Sequence, residues 1–163
     1  MSSPTPSPEL VQFVQSGISV LVGSRDARLM PDCSRAVGAR VEDDGGAMTV
    51  YLPPVTSQVT LANLRDNGRI AVAFSRPADH RSVQVKGRVL EIREADAADR
   101  EWIDRYRGEL VQNWGFVGVP PRFTLRAVSW PSQAVRFRIE SWFVQTPGPD
   151  AGAALQPGTE TGA

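Results

Sequence analysis

The chain is poor in the residues from which self-sufficient active sites are usually built. Cysteine occurs once, at Cys33, and histidine once, at His80, in 163 residues. One thiol cannot form a disulfide scaffold or a multi-thiolate zinc centre, and one imidazole leaves little for nucleophilic triads or histidine metal sites. We therefore expect no metal centre and can name no catalytic side chain. Any redox chemistry would come from a bound cofactor, and the expected location is the cytoplasm.

Long apolar runs and a net charge are also missing. The longest apolar stretches, such as residues 18–22, are far too short to span a membrane, and the first residues lack the basic-then-apolar order of a signal peptide. Eighteen basic and 18 acidic residues cancel to a formal net charge of zero. The sequence therefore predicts neither a nucleic-acid nor a membrane partner. Lysine occurs only at Lys86, so an anionic ligand would be held mainly by arginines.

Two ends of low apolar content flank the rest of the chain. Residues 1–8 and 147–163 are rich in proline, glycine, serine, threonine and alanine, and they contain few large apolar side chains. Such segments bury too little surface to offset the entropy of ordering, so both are predicted to be disordered tails. A single domain is expected over residues 9–146, because this length suits one hydrophobic core.

The hydrophobic pattern of residues 9–146 predicts seven strands and about three helices. The predicted strands are 18–24, 34–42, 47–52, 69–75, 82–93, 122–130 and 134–145, and the predicted helices lie within 7–17, 56–68 and 96–111. Antiparallel strands with inserted helices indicate an α+β fold, mainly β, built as a small barrel or a partly open sheet. A Rossmann fold is disfavoured, because no Gly-x-Gly-x-x-Gly sequence joins a strand to a helix.

Polar side chains collect where the third predicted strand leads into the second helix. Thr56 and Ser57 place hydroxyl groups at a helix start, where backbone N–H groups and the helix dipole favour a phosphate. Arginines of the neighbouring strand would neutralise it. The candidate residues are Arg35, Arg40, Tyr51, Ser57, Gln58 and Thr60. The alternative is that the hydroxyls only cap the helix and that the arginines are solvated.

The order of these segments resembles the pyridoxamine 5'-phosphate oxidase-like FMN-binding split barrels, over about residues 10–146. Arg35-Ala-Val37-Gly-Ala-Arg40 is similar to the Arg-x-Val-x-x-Lys strand that lines the flavin in that family. Val83-Gln-Val85-Lys-Gly87 is similar to its Val-x-Val-x-Gly strand, and residues 63–70 resemble the helix end that enters the preceding strand.

The resemblance implies a split β-barrel with Greek-key-like antiparallel strands that binds FMN at the interface of a homodimer. It assigns the phosphate and ribityl chain to Arg35, Arg40, Ser57, Gln58 and Thr60, and the border of the flavin ring to Val37, Tyr51 and Ser82. The implied function is an FMN-binding oxidoreductase acting on an unknown small substrate. Two alternatives stay open: a non-enzymatic split barrel that binds haem, another ligand or nothing, and a reductase that uses a deazaflavin.

Three departures from the family pattern separate this chain from the oxidase itself. Thr60 stands where the family has its phosphate-binding lysine, and Ser82 stands where the oxidase has a flavin-contacting glutamine. The substrate-holding Arg-Leu-His-Asp-Arg sequence has no counterpart here. We therefore expect a different substrate. Trp142 falls on the polar side of the last predicted strand, which predicts that it faces outward, toward a partner subunit or the flavin. The alternative is that it packs in the core.

Overall fold

The computed structural model describes residues 5–155, in which seven strands and four α-helices follow one another along the chain. The strands are β1 Ser19–Arg25, β2 Pro31–Arg35, β3 Ala39–Val41, β4 Ala47–Leu52, β5 Arg69–Ser75, β6 Ser82–Glu94 and β7 Gln133–Val144. The helices are α1 Pro8–Val14, α2 Gln58–Asn67, α3 Ala97–Phe116 and α4 Pro121–Leu125, and Pro54–Thr56 forms a 3-10 turn. Among these helices, none has the length and apolar content that a membrane crossing requires.

All seven strands belong to one antiparallel sheet in the order β2-β1-β5-β6-β7-β4-β3. The predicted α+β class, mainly β, is confirmed. The two edge strands, β2 and β3, are consecutive in the chain and only residues 36–38 separate them. Such a short connection can join opposite edges only if the sheet curls until the edges meet.

The crossing between the edges replaces a strand that the sequence predicts as continuous over 34–42. Ala36 still donates to the Val20 carbonyl at 3.0 Å, whereas Val37 donates to the Tyr51 carbonyl at 2.9 Å. The chain therefore leaves β1 and joins β4 within one residue. Gly38 fits this crossing, because a Cβ there would lie 3.4 Å from the Tyr51 ring.

The strand predicted over 122–130 is wrong. Residues 121–125 form α4, and a loop leads from it to β7. Pro121 occupies the first turn of α4, where its fixed φ suits a helix and its missing N–H costs nothing. Arg107 of α3 donates to the carbonyl groups of Leu125 and Ala127, which holds this segment against α3.

The outward orientation predicted for Trp142 is also wrong, since this side chain is 1% exposed. Lys86 lies opposite Ser141 and Gly87 lies opposite Ile139, so Glu140 is an extra residue in β7. A β-bulge of this kind shifts the alternation of side chains by one residue. The bulge therefore turns Trp142 into the core, which fills the space between the sheet and helices α1 and α2.

Residues beyond 146 contact β7 at the C-terminal end of the described chain. Ala154 forms a bridge with Phe143, and Leu155 donates its N–H to the Trp142 carbonyl at 2.9 Å. Residues 147–155 therefore return along the edge of β7 that β4 leaves uncovered. At the other end, Pro6 is already buried. The remainder of both predicted tails, 1–4 and 156–163, lies outside the described residues.

Replacing Gly87 with alanine is expected to destabilise the sheet by about 1–3 kcal/mol, as overpacking does in other cores. The new Cβ would lie 2.2 Å from the Arg138 carbonyl oxygen and 2.7 Å from the Phe137 ring, so β6 and β7 would have to separate. Gly108 of α3 is the control, because its Cβ would meet nothing within 4 Å. Alanine there should stabilise the helix by roughly 0.5–1 kcal/mol. Urea unfolding measures both changes, and equal midpoints for the two variants would contradict this packing.

Candidate functional site

The structure distributes the eight predicted site residues over three regions and does not bring them into one cluster within a single chain. Ser57, Gln58 and Thr60 lie at the start of α2, Arg35 and Ser82 lie in strands on the outer face of the sheet, and Val37, Arg40 and Tyr51 lie on the α3 side. Arg35 and Arg40 separate because the crossing at residues 36–38 sends them to opposite edges.

The start of α2 is fastened to β2 through Thr60. This residue is fully buried, its hydroxyl donates to the carboxylate of Asp32, and it shares a hydrogen bond of 2.7 Å with Ser34. A carboxylate of the chain itself therefore occupies the first turn of the helix, where the sequence predicts a phosphate contact. Sequence reasoning missed Asp32. The signal available was its spacing from Ser34, since residues i and i+2 share one face of a strand.

Ser57 is the unsatisfied group of this region. Its Oγ is buried and has no hydrogen-bond partner within residues 5–155, and it does not cap the helix that it precedes. A buried hydroxyl without a partner costs about 1–3 kcal/mol, which a ligand atom would recover. Arg35 is similarly available. Its Nη1 donates to Ser19 Oγ at 2.8 Å, and it forms no ion pair with any described carboxylate.

Tyr51 anchors α3 to the sheet. Its side chain is 1% exposed, and its hydroxyl donates to Asp99 Oδ1 at 2.9 Å. Arg93 Nη1 donates to the other carboxylate oxygen at 2.6 Å. Burial by itself would raise the pKa of Asp99, but hydrogen bonds from Arg93, Asp96 N–H and Tyr51 outweigh it and lower that pKa. Burial and the bond to Asp99 raise the pKa of Tyr51, so its phenol stays protonated.

Arg40 faces solvent at the same end of the molecule. Its guanidinium lies 5.0 Å from the centre of the Trp102 ring, within the range of a cation–π contact. Arg40 also lines a polar cavity of about 480 Å³, whose wall includes Tyr51 and Asp99. Val37 is buried against Tyr51 and Ile103.

A larger groove of about 770 Å³ runs over the outer face of the sheet. Five strands form its floor, and their register aligns one residue from each: Cys33 is opposite Gly23, Gly23 is opposite Ala71, Ala71 is opposite Lys86, and Lys86 is opposite Ser141. Three of the five are small. The floor is therefore flat and open.

The groove and the start of α2 adjoin each other through Asp32 and Ser24. Both residues line the groove. Asp32 accepts the hydrogen bond from Thr60, and Ser24 Oγ accepts one from Asn63 of α2 at 3.1 Å. Ser82 lies farther along the outer face, where its Oγ is 2.9 Å from both Ser75 Oγ and the His80 carbonyl oxygen.

A scan against protein-family models and a search of curated proteins found no match to this chain. Solved structures do match. An F420 reductase is 15% identical, with a TM-score of 0.57, and the alignment covers 83% of this chain and 98% of that one. A pyridoxamine 5'-phosphate oxidase candidate from Lactobacillus delbrueckii is 14% identical, with a TM-score of 0.56 and coverages of 88% and 98%. An FMN-binding protein from Syntrophomonas wolfei is 15% identical, with a TM-score of 0.50 and coverages of 83% and 85%.

The chain has the pyridoxamine 5'-phosphate oxidase-like split-barrel fold. The expected architecture is thereby confirmed. In this split barrel the curled sheet carries α1 and α2 on its inner side, and the groove lies on the opposite side. Structures that share the fold include proteins named for FMN or for the deazaflavin F420.

Replacing Asp99 with asparagine is expected to lower the free energy of unfolding at neutral pH by about 2 kcal/mol, since hydrogen bonds to a charged group contribute roughly 1.5–3 kcal/mol. The folded-state pKa of Asp99 lies below the unfolded value. Its contribution is therefore complete above a pH of about 4 and is lost as the pH falls further. Urea unfolding at several pH values measures both effects. Glu101→Gln on the exposed side of α3 is the control, and an Asp99→Asn curve parallel to wild type would contradict the assignment.

Proposed function

We propose that this split barrel is a flavoprotein that binds FMN and serves as an oxidoreductase for a small substrate. The observation that carries the proposal is the groove on the outer face of the sheet. Its volume of about 770 Å³ falls in the range of small-molecule sites. The small side chains of Gly23, Ala71 and Ser141 leave its floor clear for a flat ring, and Lys86 adds a cation beside them.

The start of α2 supplies the groups that would hold the phosphate. Ser57 offers a buried hydroxyl without a partner, and Arg35 offers a guanidinium without a carboxylate partner among the described residues. Gln58 follows Ser57 in the chain and is exposed, whereas Arg35 would reach the phosphate from β2. We assign the phosphate to these three residues. Thr60 then contributes by holding Asp32 against the helix.

The remaining predicted residues are assigned supporting positions. Ser82 would border the flavin ring, because it lies on the outer face of the central strand β6. Val37 and Tyr51 are buried beneath α3, and Tyr51 lines the polar cavity, not the groove, so neither would contact the flavin within one chain. Arg40, which is exposed, would meet the cofactor only where a partner subunit brings it near.

Redox chemistry would be supplied by the isoalloxazine ring when FMN is bound. The chain's own residues would bind and orient this group. Lys86 would stabilise negative charge on a ligand above it, because its ammonium is exposed. The same ammonium lies 4.9 Å from the centre of the Phe143 ring, within the range of a cation–π contact.

A deazaflavin reductase is the second candidate function. The F420 reductase among the similar structures favours it, since a deazaflavin has the same flat tricyclic shape as a flavin. A binding titration with FMN and with a deazaflavin as alternative ligands distinguishes these two functions. A barrel that binds neither would be a non-enzymatic module, for haem or for another ligand.

We also propose a homodimer, with the uncovered outer face as its interface. Next to the groove floor, Leu21 is opposite Ala73, Ala73 is opposite Gln84, and Gln84 is opposite Phe143. Leu21 is 38% exposed. A second chain on this row would cover apolar surface and close the groove from above.

Arg35→Ala is expected to weaken FMN binding roughly 10- to 150-fold, because a charge-assisted hydrogen bond contributes about 1.5–3 kcal/mol. Arg65→Ala is the matched control. Arg65 is also exposed, and its one hydrogen bond, to Gln133 at 3.4 Å, lies away from the groove. Quenching of flavin fluorescence measures both affinities. Equal losses of FMN affinity in the two variants would show that Arg35 does not bind the phosphate. A chain that binds neither FMN nor a deazaflavin would refute the proposed function.

Leu21→Glu is expected to convert the dimer to a monomer, because it places a charge in the proposed interface. Leu29→Glu is the control, since Leu29 is 69% exposed in the turn between β1 and β2. Light scattering should give twice the chain mass of 17.7 kDa for wild type and for the control. A wild-type mass of 17.7 kDa would contradict the dimer.

A further inference from the structure

Arginines of adjacent strands lie directly opposite one another on the outer face of the sheet. Arg69 of β5 is opposite Arg88 of β6, and Arg88 is opposite Arg138 of β7. Arg25 of β1 lies at the same level, since Gly23, two residues earlier, is opposite Ala71. We call Arg25, Arg69, Arg88 and Arg138 the arginine row.

The row is short of carboxylate partners. Glu140 lies 3.5 Å from Arg138, and these side chains are 45% and 57% exposed, so the pair is weak. Within the described residues, the guanidinium groups of Arg25 and Arg88 donate only to backbone carbonyl groups, at 3.0 and 3.1 Å. The Arg69 guanidinium has no hydrogen bond or ion pair to any residue between 5 and 155. Like charges opposite one another destabilise a sheet, so this arrangement carries a cost that an anion would relieve.

The row lies at the margin of the groove. Arg25 and Arg69 line the groove, and Lys86 stands on the neighbouring row of the floor. The carboxylates of the groove are Asp32 and Glu140, and Asp32 already accepts a hydrogen bond from Thr60. Three cations, Arg25, Arg69 and Lys86, therefore line the groove with two carboxylates, in a chain whose formal net charge is zero. Arg88 and Arg138 extend the positive charge along the row. The positive charge is concentrated where a small molecule would enter.

We propose that the arginine row binds a phosphoryl group of the small molecule that occupies the groove. Guanidinium groups match phosphate oxygens with paired, charge-assisted hydrogen bonds. The inference rests on the proposed function only in that a ligand occupies the groove, because the row itself needs no flavin. With the FMN phosphate assigned to Ser57, Arg35 and Gln58, the phosphoryl group at the row belongs to a phosphorylated substrate. If the row instead holds the cofactor's phosphate, that assignment is replaced, and the experiment below separates these sources.

Inorganic pyrophosphate is the probe, added to the full chain without flavin at constant ionic strength. Calorimetric titration should show binding by wild type and a roughly tenfold weaker affinity for Arg69→Gln. Arg138→Gln is a second variant. The side chains of Arg69 and Arg138 are both exposed and neither supports the core, so both variants are expected to fold. Arg65→Gln, an exposed arginine off the row, should bind as wild type does. Without pyrophosphate, Arg69→Gln should raise the melting temperature, since it removes repulsion within the row.

A second titration compares FMN with riboflavin, which lacks the phosphate. If the row holds the cofactor's phosphate, Arg69→Gln weakens FMN and not riboflavin, and pyrophosphate competes with FMN. If it holds a substrate's phosphate, Arg69→Gln leaves both flavins unchanged and pyrophosphate binds to the FMN-loaded protein. Either result supports the proposal that the arginine row binds a phosphoryl group.

The proposal is overturned if pyrophosphate does not bind, or if wild type, Arg69→Gln and Arg65→Gln bind it equally. Arginine-dependent pyrophosphate binding in a chain that takes up no flavin would refute the proposed function and leave the row standing.

Discussion

The crossing at residues 36–38 is the constraint on which the rest of the molecule depends. It joins the two edge strands β2 and β3, so the sheet must curl. The backbone changes partners there, from the Val20 carbonyl to the Tyr51 carbonyl, within one residue. Curling gives the sheet an inner side that α1 and α2 fill, and an outer side on which the groove lies. It also separates Arg35 from Arg40, although only four residues stand between them.

Much of the fold follows from local sequence pattern, and the exceptions have identifiable causes. The predicted strands 47–52 and 69–75 match β4 and β5 residue for residue, because turn-forming residues bound both of them in the sequence. The strand predicted over 122–130 fails since Pro121 starts a helix that α3 stabilises through Arg107, a tertiary contact. The predicted orientation of Trp142 is wrong for a different reason. One bulge residue inverts the alternation, and no periodicity count detects a single inserted residue.

The sequence singles out the start of α2, whereas the groove floor, which takes residues from five strands, and the charges around it depend on the fold. Ser57 at the start of α2 follows from helix-capping chemistry, and the structure leaves its hydroxyl without a partner within residues 5–155. The spacing of Asp32 from Ser34 places both on one face of a strand, but the contact of Asp32 with Thr60 joins residues 28 apart and depends on the fold. The arginine row depends on the register of four strands, whereas a formal net charge of zero conceals it. Electrostatics at a site is a property of the fold more than of composition.

The central claim is that a flavin occupies the groove across β2, β1, β5, β6 and β7. Backbone amide NMR of the isotope-labelled chain, titrated with FMN, tests it most directly, because each amide reports its own surroundings. The account predicts that the largest shift changes fall at Gly23, Ala71 and Lys86 on the groove floor and at Ser57 beside it. Changes confined to the polar cavity around Tyr51 and Asp99, or no changes at saturating FMN, would contradict it.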